Sequence, residues 1–173
     1  NIPYVFANVV TSDPIVPTVS IDYVKAGYEI TKKLIDKGCK DIYLLSTARR
    51  YSVNDKKEEG YTKAMLENSL DPKIFRTSGD AAVNKPHFET FFENINVDGA
   101  IAVRDSIAVS FLNTAINNGK HVPNNLKIAG FQNTKYAQLS RPGLTSIDIP
   151  VYDIGAVSMR LLTKLMQSKG VEN

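Results

Sequence analysis

The sequence predicts an α/β fold built on a doubly wound parallel sheet, and three observations carry that expectation. Short continuous apolar runs such as Ile42–Leu45 read as strands buried on both faces, which is a feature of parallel sheets rather than half-exposed hairpins. Between these runs lie segments whose apolar residues recur at three and four, the period of helices resting on a core. The two kinds alternate, and parallel strands joined through helices cross over right-handed, so helices cover both faces.

Taken in order, Asn1–Ala7 (NIPYVFA) is a strand-like run, Asn8–Pro17 a polar link containing prolines, and Thr18–Asp22 extended again. Asp22 is placed to cap a helix that turns Tyr23, Ala26, Ile30, Leu34 and Ile35 inward and ends at Gly38, where a left-handed cap suits glycine. After the Ile42–Leu45 strand comes a polar loop, Ser46–Asp55, and then a helix from about Lys56 to Asn68 with Tyr61, Ala64 and Met65 inward. Asp71 and Pro72 break it, Lys73–Thr77 is a short strand, and Ser78–Asn84 is a second polar loop. Asn84 is expected to cap a helix carrying Phe88, Phe91, Phe92 and Ile95 on one side. A Gly99–Val103 strand, a helix from Asp105 to Asn118 stopped by Gly119, and a Leu126–Phe131 strand continue the alternation.

The carboxyl-terminal stretch opens with Arg141-Pro142-Gly143, runs extended from Leu144 to Ile149, and becomes an amphipathic helix. Its inward stripe is Ile154, Val157, Leu161, Leu162 and Leu165. On the other side Tyr152, Ala156, Met159, Arg160, Thr163 and Lys164 recur at three and four, with Asp153 in the first turn as the only carboxylate. Such a face is either a solvated basic surface or a docking surface.

A chain of 173 residues can bury a sizeable core without a disulfide or metal. A formal net charge of +3 is too small to argue for nucleic-acid binding, and no helix carries a run of Lys and Arg fit for a groove. The single cysteine, Cys39, suits a reducing compartment and reads as a core or boundary residue. His87 and His121 lie far apart without metal-ligand spacing, and no nucleophile with a base is visible, so neither a metal, a cofactor nor an enzyme is expected. No apolar run is long enough to span a bilayer, and the first residues lack the regions of a signal peptide, which points to the cytoplasm and away from membranes. In open parallel sheets ligands bind outside the carboxyl ends of the strands. Those ends are Ser46–Tyr51, Ser78–Ala82, Arg104–Ser106 and Gln132–Lys135.

Four stretches carry a resemblance: VSIDYVKAGYEITKKLIDKGCKDIYLLS, KKEEGYTKAM, AVRDSIAVSFLNTAINNGKHVPNNLKIAGFQNT and RPGLTSIDIPVYDIGAVSMRLLTKLM. Together they cover nearly the whole chain, which resembles the effector-binding domain of LacI/GalR transcription regulators, itself similar to periplasmic sugar-binding proteins. VYDIGAVSMRLLTKLM resembles the branch of catabolite control proteins and ribose operon repressors from low-GC Gram-positive bacteria. The resemblance implies a two-lobe periplasmic-binding-protein-like fold with most of the first lobe, and the helix-turn-helix headpiece before it, missing here. Residues 1–17 would end the amino-terminal lobe, 18–146 form the carboxyl-terminal lobe, and 147–173 cross back and supply a helix to the first. The function implied is effector or corepressor binding in a repressor of carbohydrate use, ribose among the candidates, or of catabolite control. The alternative is a solute-binding protein for a sugar or sugar phosphate.

Site residues follow from the same resemblance. Family ligands sit in the cleft between lobes, where Lys57 stands for an arginine, Ala81 for an aromatic, Arg104 for the asparagine of an Asn-Asp pair, and Gln132 for an aspartate. Asp105 completes that pair, although it also reads as a helix cap, and Asp148 lies at a lobe crossing. Lysine and glutamine cannot reproduce the bidentate geometry of arginine and carboxylate. Either the pocket takes another ligand, with Lys57 and Arg104 favouring a phosphate or other anion, or the cleft has lost tight small-molecule control; as a third reading the two are solvated loop cations. On the last helix, Tyr152, Asp153, Met159, Arg160 and Lys164 match the surface on which catabolite control proteins receive the phosphocarrier protein HPr phosphorylated on serine, with Arg160 and Lys164 as phosphate anchors. The family also implies a homodimer, with Val109, Leu112 and Tyr136 near its interface unless Leu112 is core, and operator DNA held only through the absent headpiece.

Overall fold

The computed structural model of the chain describes residues 2–170, the side chains of the last two excepted. Asn1, where the first expected strand began, and residues 171–173, where the last expected segment ended, lie outside the described residues. The chain forms two compact units, one of the residues up to Asp22 together with those from Ile149 on, the other Tyr23–Asp148. The divisions therefore fall after Asp22 and Asp148, where the sequence suggested 17/18 and 146/147.

The larger unit starts with α1 (Tyr23–Asp36), β3 (Ile42–Thr47) and α2 (Ser52–Glu67), the numbering of strands beginning with β1 (Phe6–Ala7) and β2 (Thr18–Val19) of the smaller one. It continues through β4 (Lys73–Thr77), α3 (Ala81–Asn94), β5 (Gly99–Ala102), α4 (Asp105–Asn117), β6 (Lys127–Phe131), α5 (Lys135–Leu139) and β7 (Thr145–Ile147). The strands form one parallel sheet in the order β4-β3-β5-β6-β7. Parallel strands deliver all their carboxyl ends to one edge, so the loops after β3, β4, β5 and β6 gather there.

Burial follows the period read from the sequence. Tyr23, Ala26, Ile30 and Leu34 of α1 and Tyr61, Ala64 and Met65 of α2 are buried. These two helices approach closely enough that backbone meets backbone: an added Cβ at Gly27 would lie 2.5 Å from the Lys57 carbonyl oxygen, and one at Gly60 would lie 2.0 Å from that of Val24. Elsewhere in the unit Phe88, Phe91 and Phe92 of α3 and Phe111 of α4 pack edge-on or tilted against one another, with centroids 4.6 to 5.5 Å apart. Tyr61 ties strand to strand, its hydroxyl donating to the Ile42 carbonyl at 2.7 Å and accepting from the Lys73 amide at 2.8 Å. Cys39 is buried just before β3, with Sγ 3.4 Å from the Asp98 carbonyl oxygen. Burial, with Asp98 adding to it, pushes its thiol pKa up.

Several expected boundaries are corrected. The loop expected from Ser46 to Asp55 is shorter: β3 runs to Thr47 and α2 begins at Ser52, because Asn54 turns inward and donates from Nδ2 to Thr47 Oγ1 at 2.9 Å. Asn84 does not cap the third helix. Asp80 does, accepting from the Ala82 amide at 2.8 Å, while Asn84 is buried in the first turns and bonds to both the amide and the carbonyl of Ser78. The five-residue α5 was not expected, being too short to show a period.

In the smaller unit β1 and β2 pair in parallel, Phe6 with Thr18 and Ala7 with Val19, and α6 (Val151–Gly170) packs on both. The expected inward stripe of α6 is corrected. Ile154 and Ser158 are buried and Leu161, Leu162 and Leu165 half-buried, but Val157 is 44% exposed. A two-stranded support is narrower than the stripe it faces, which leaves the flanking position in solvent. No helix among the described residues is long and apolar enough to cross a membrane.

Candidate functional site

At the carboxyl edge of the larger unit, the loops after β3, β4 and β5 enclose a pocket of about 470 Å³. Arg49, Tyr51, Phe75, Arg76, His87 and Arg104 line it. A second cavity of about 490 Å³, against α1 and the approach to β7, has mostly apolar walls such as Ile30, Leu34, Pro142 and Leu144. Ligands of parallel sheets bind outside the carboxyl ends of the strands, and of these two cavities the first lies there.

Tyr51 and Arg104 hold equivalent places, each the residue before a helix with extended backbone and no capping side-chain bond. Their side chains are therefore free to face the pocket, where the guanidiniums of Arg49 and Arg104 pack on the Tyr51 ring with Cζ 5.3 and 5.5 Å from its centroid. Arg76 is matched. Both its terminal nitrogens bond the nearly buried Glu58 carboxylate, which also accepts from Ser46 Oγ at 2.6 Å. Burial alone would raise the Glu58 pKa, but the hydrogen bonds of Arg76 and Ser46 and the charges of Arg76 and Arg50 hold it below the usual carboxylate value.

Asp105 is not the cap of α4; Arg104 occupies that position. The Asp105 carboxylate is fully buried, accepting at Oδ2 from the Thr134 amide (2.7 Å) and hydroxyl (2.9 Å) and at Oδ1 from Ser146 Oγ (2.6 Å). With no exposed surface it positions the chain around the edge and has nothing to offer a ligand directly.

Lys57 is likewise corrected as a ligand-facing or solvated cation. It is 3% exposed, donates from Nζ to the Val103 carbonyl at 2.9 Å, and lies 4.7 and 5.2 Å from the ring centroids of Phe131 and Tyr23. Burial, and secondarily the charge of Arg104, lowers its pKa to about 8. Because the folded value lies below the unfolded one, the unfolded chain binds more protons between them, and stability rises with pH across that window. The stability of the wild-type chain relative to Lys57→Met should climb from about pH 8 to about pH 10, by up to about 1.4 kcal/mol per unit. Urea unfolding at stepped pH measures it, and a flat difference would refute the assignment.

The remaining expected residues scatter. Ala81 is the exposed first residue of α3, offering a methyl group and a carbonyl that accepts from Ser110 Oγ at 3.4 Å. Gln132 is exposed, with φ 104, and Asn133 follows with φ 48, two left-handed residues at the end of β6. The Gln132 amide donates to the Ile147 carbonyl at 2.8 Å, and Asn133 Nδ2 donates to the exposed Asp148 at 3.4 Å. None of Ala81, Gln132 and Asp148 lines the pocket that holds Arg104. Arg49, Tyr51 and Arg76 were not singled out and His87 was weighed only as a metal ligand; the sequence signal was the RRY run inside a loop already placed at the carboxyl edge.

On α6, Tyr152 is 92% and Met159 62% exposed, and Asp153, Arg160 and Lys164 are exposed as well. In the larger unit Val109 is half-buried and Tyr136 is exposed, but Leu112 is fully buried in the core and is removed from the expected interface. No group of three or more His, Cys, Asp or Glu side chains among the described residues is placed to hold a metal.

Residues 31–173 match the family model described as a periplasmic binding protein-like domain. Catabolite control protein A of Priestia megaterium is 37% identical over 99% of this chain and 53% of its own length. The Staphylococcus aureus (strain MRSA252) protein of the same name is 32% identical over the same shares. The chain thus spans about half the length of the curated relatives it matches. The crystal structure of the transcription regulator CcpA of Lactococcus lactis superposes with a TM-score of 0.84 at 35% identity, over 96% of this chain and 62% of that one. A LacI family regulator from Enterococcus faecium, solved with bound ribose, shares the fold with a TM-score of 0.85 at 20% identity, over 95% of this chain and 62% of its own.

Proposed function

Because the chain belongs to the periplasmic binding protein-like domain family, we propose that it is the effector-binding part of a DNA-binding repressor of carbohydrate use or catabolite control, working in the cytoplasm as a homodimer. The observation that carries this is the polar pocket at the shared carboxyl edge of a parallel sheet, on a chain aligned throughout with catabolite control protein A. Such a domain acts by holding two arrangements whose balance a ligand shifts, and the ligand must bind one better than the other. Full-length protein should change its affinity for DNA selected from a random pool by about fivefold or more when a sugar or sugar phosphate that it binds is added. Fluorescence anisotropy with ribose, glucose and their phosphates measures this, and DNA affinity indifferent to all of them would end the reading.

The exposed face of α6 supports a second input. Tyr152, Asp153, Met159, Arg160 and Lys164 present an aromatic, a thioether and two cations, the chemistry that receives a phosphoserine with its three acceptor oxygens on a protein such as serine-phosphorylated HPr. Arg160→Glu should weaken that binding by at least about tenfold, since a charge reversal replaces attraction by repulsion, and leave thermal stability unchanged. Surface plasmon resonance with phosphorylated HPr would show it; equal affinity would remove the docking surface. For the dimer, Tyr136 and Val109 remain the candidates.

A further inference from the structure

The cavity of about 490 Å³ lies at the other edge of the larger unit's sheet, by the amino ends of β6 and β7. It is walled by the buried Ile30, Leu34, Leu112 and Ile128 and by the half-buried Val122 and Leu144. Pro123 and Pro142 complete the wall, and a proline ring has no rotamer that would fold inward and fill the space. Three cations share this lining: Lys33 in the last turn of α1, Lys37 four residues on, and Lys127 at the start of β6. No aspartate or glutamate does. Elsewhere on α1 each lysine has its carboxylate, Lys25 pairing with Glu29 at 3.8 Å and Lys32 with Asp36. Lys33, Lys37 and Lys127 have none within ion-pair distance among the described residues.

A lysine beside apolar surface lays its stem along that surface and keeps its ammonium in water. Three such ammoniums without a counter-charge attract an anion and repel a cation, while the walls beneath them favour hydrocarbon. Both demands are met by one kind of molecule. We propose that this cavity binds a small amphipathic anion, a straight-chain carboxylate of medium length, with its tail against Ile30, Leu34, Ile128 and Leu144 and its head among Lys33, Lys37 and Lys127. A carboxylate only accepts hydrogen bonds and an ammonium only donates them, so head and rim are complementary. The volume falls in the range of small-molecule sites, about 300–1,000 Å³. The site is separate from the pocket at the carboxyl edge and does not depend on the effector reading.

Isothermal titration of the full-length protein with octanoate, octanol, octyltrimethylammonium and acetate tests it. Octanoate should bind, octanol at least about tenfold more weakly, and the cation and acetate not measurably. Going from hexanoate to octanoate should tighten binding by about fourfold for each methylene buried. Replacing Lys33, Lys37 and Lys127 together by glutamine should weaken octanoate at least about tenfold and leave octanol as it was. Leu144→Gln should weaken both, and Lys63→Gln, a surface lysine outside the cavity, neither. Thermal melting checks that the variants fold; the three lysines are exposed or half-buried, so that variant decides the matter should Leu144→Gln fail. Octanol binding as tightly as octanoate would reduce the cavity to an apolar gap, and acetate binding as tightly would reduce the lysines to a plain anion-attracting surface; either overturns the proposal. So does octanoate affinity that survives loss of the three lysines, or no binding at all. Affinity that falls as the protein concentration rises would place a second copy of the chain over the cavity and overturn it as well.

Discussion

Asp105→Ala should destabilise the larger unit by about 3 kcal/mol or more, because it removes one buried charged acceptor and strands three donors at once. The carboxylate joins the start of α4 to Thr134 before α5 and to Ser146 in β7, and its Oδ1 packs where a side chain on Gly130 would have to go, 2.4 Å from an added Cβ. Alanine leaves the Thr134 amide and the two hydroxyls, all part-buried, without the acceptor they share. Asp105→Asn keeps the volume but trades an acceptor for a donor that faces hydroxyl and amide protons, so it should fall between. Urea unfolding gives the difference directly. An alanine variant within about 1 kcal/mol of the parent would mean that the three bonds are dispensable.

Gly60→Ala is expected to be as damaging for a different reason. The new methyl carbon would sit 2.0 Å from the Val24 carbonyl oxygen and 2.7 Å from the Tyr28 amide nitrogen, and these are backbone atoms that cannot swing aside as a side-chain tip can. The two helices must then separate along their whole contact, loosening the layer that buries Tyr23, Tyr61 and Lys57. Overpacking of a core by one carbon usually costs about 1–3 kcal/mol, and a clash with backbone belongs at or beyond the upper end. Gly27→Ala, which meets the Lys57 carbonyl oxygen at 2.5 Å, should behave alike. A lowered midpoint in denaturant and faster proteolysis of both variants are the expected readings, and near-parental values in either would show that the helices slide apart freely.

These two sites also show what was legible beforehand. The parallel sheet and its helices were, since apolar period and glycine stops are local properties: β4 begins and ends at Lys73 and Thr77 as read, and Gly38 and Gly119 adopt φ of 87 and 74 past the ends of α1 and α4. The edge at which the carboxyl ends of the strands gather was legible too, because topology alone decides it. Which side chains meet there was not. Arg49, Arg76, His87 and Arg104 come from four places in the chain, and only folding brings them to one cavity. Periodicity reports the face of a helix and says nothing of depth, so Lys57 was read as facing a ligand or solvent when the glycine-mediated approach of α1 and α2 carries it into the interior. Asp105 and Asn84 were assigned to helix caps by residue type, yet each bonds to a chain segment other than its own helix start.

The protein's lone thiol gives access to its internal motions without a label being introduced. Cys39 is closed off beside the first residues of β3 and β5, with its sulfur turned to a main-chain carbonyl. A thiol reacts as the thiolate, and one whose ionisation is suppressed in the closed state meets an alkylating reagent chiefly when that corner of the sheet breathes. The speed at which iodoacetamide consumes the native molecule therefore measures how often strands β3 and β5 part at their amino ends, in the unmodified chain and under whatever ligand it is holding.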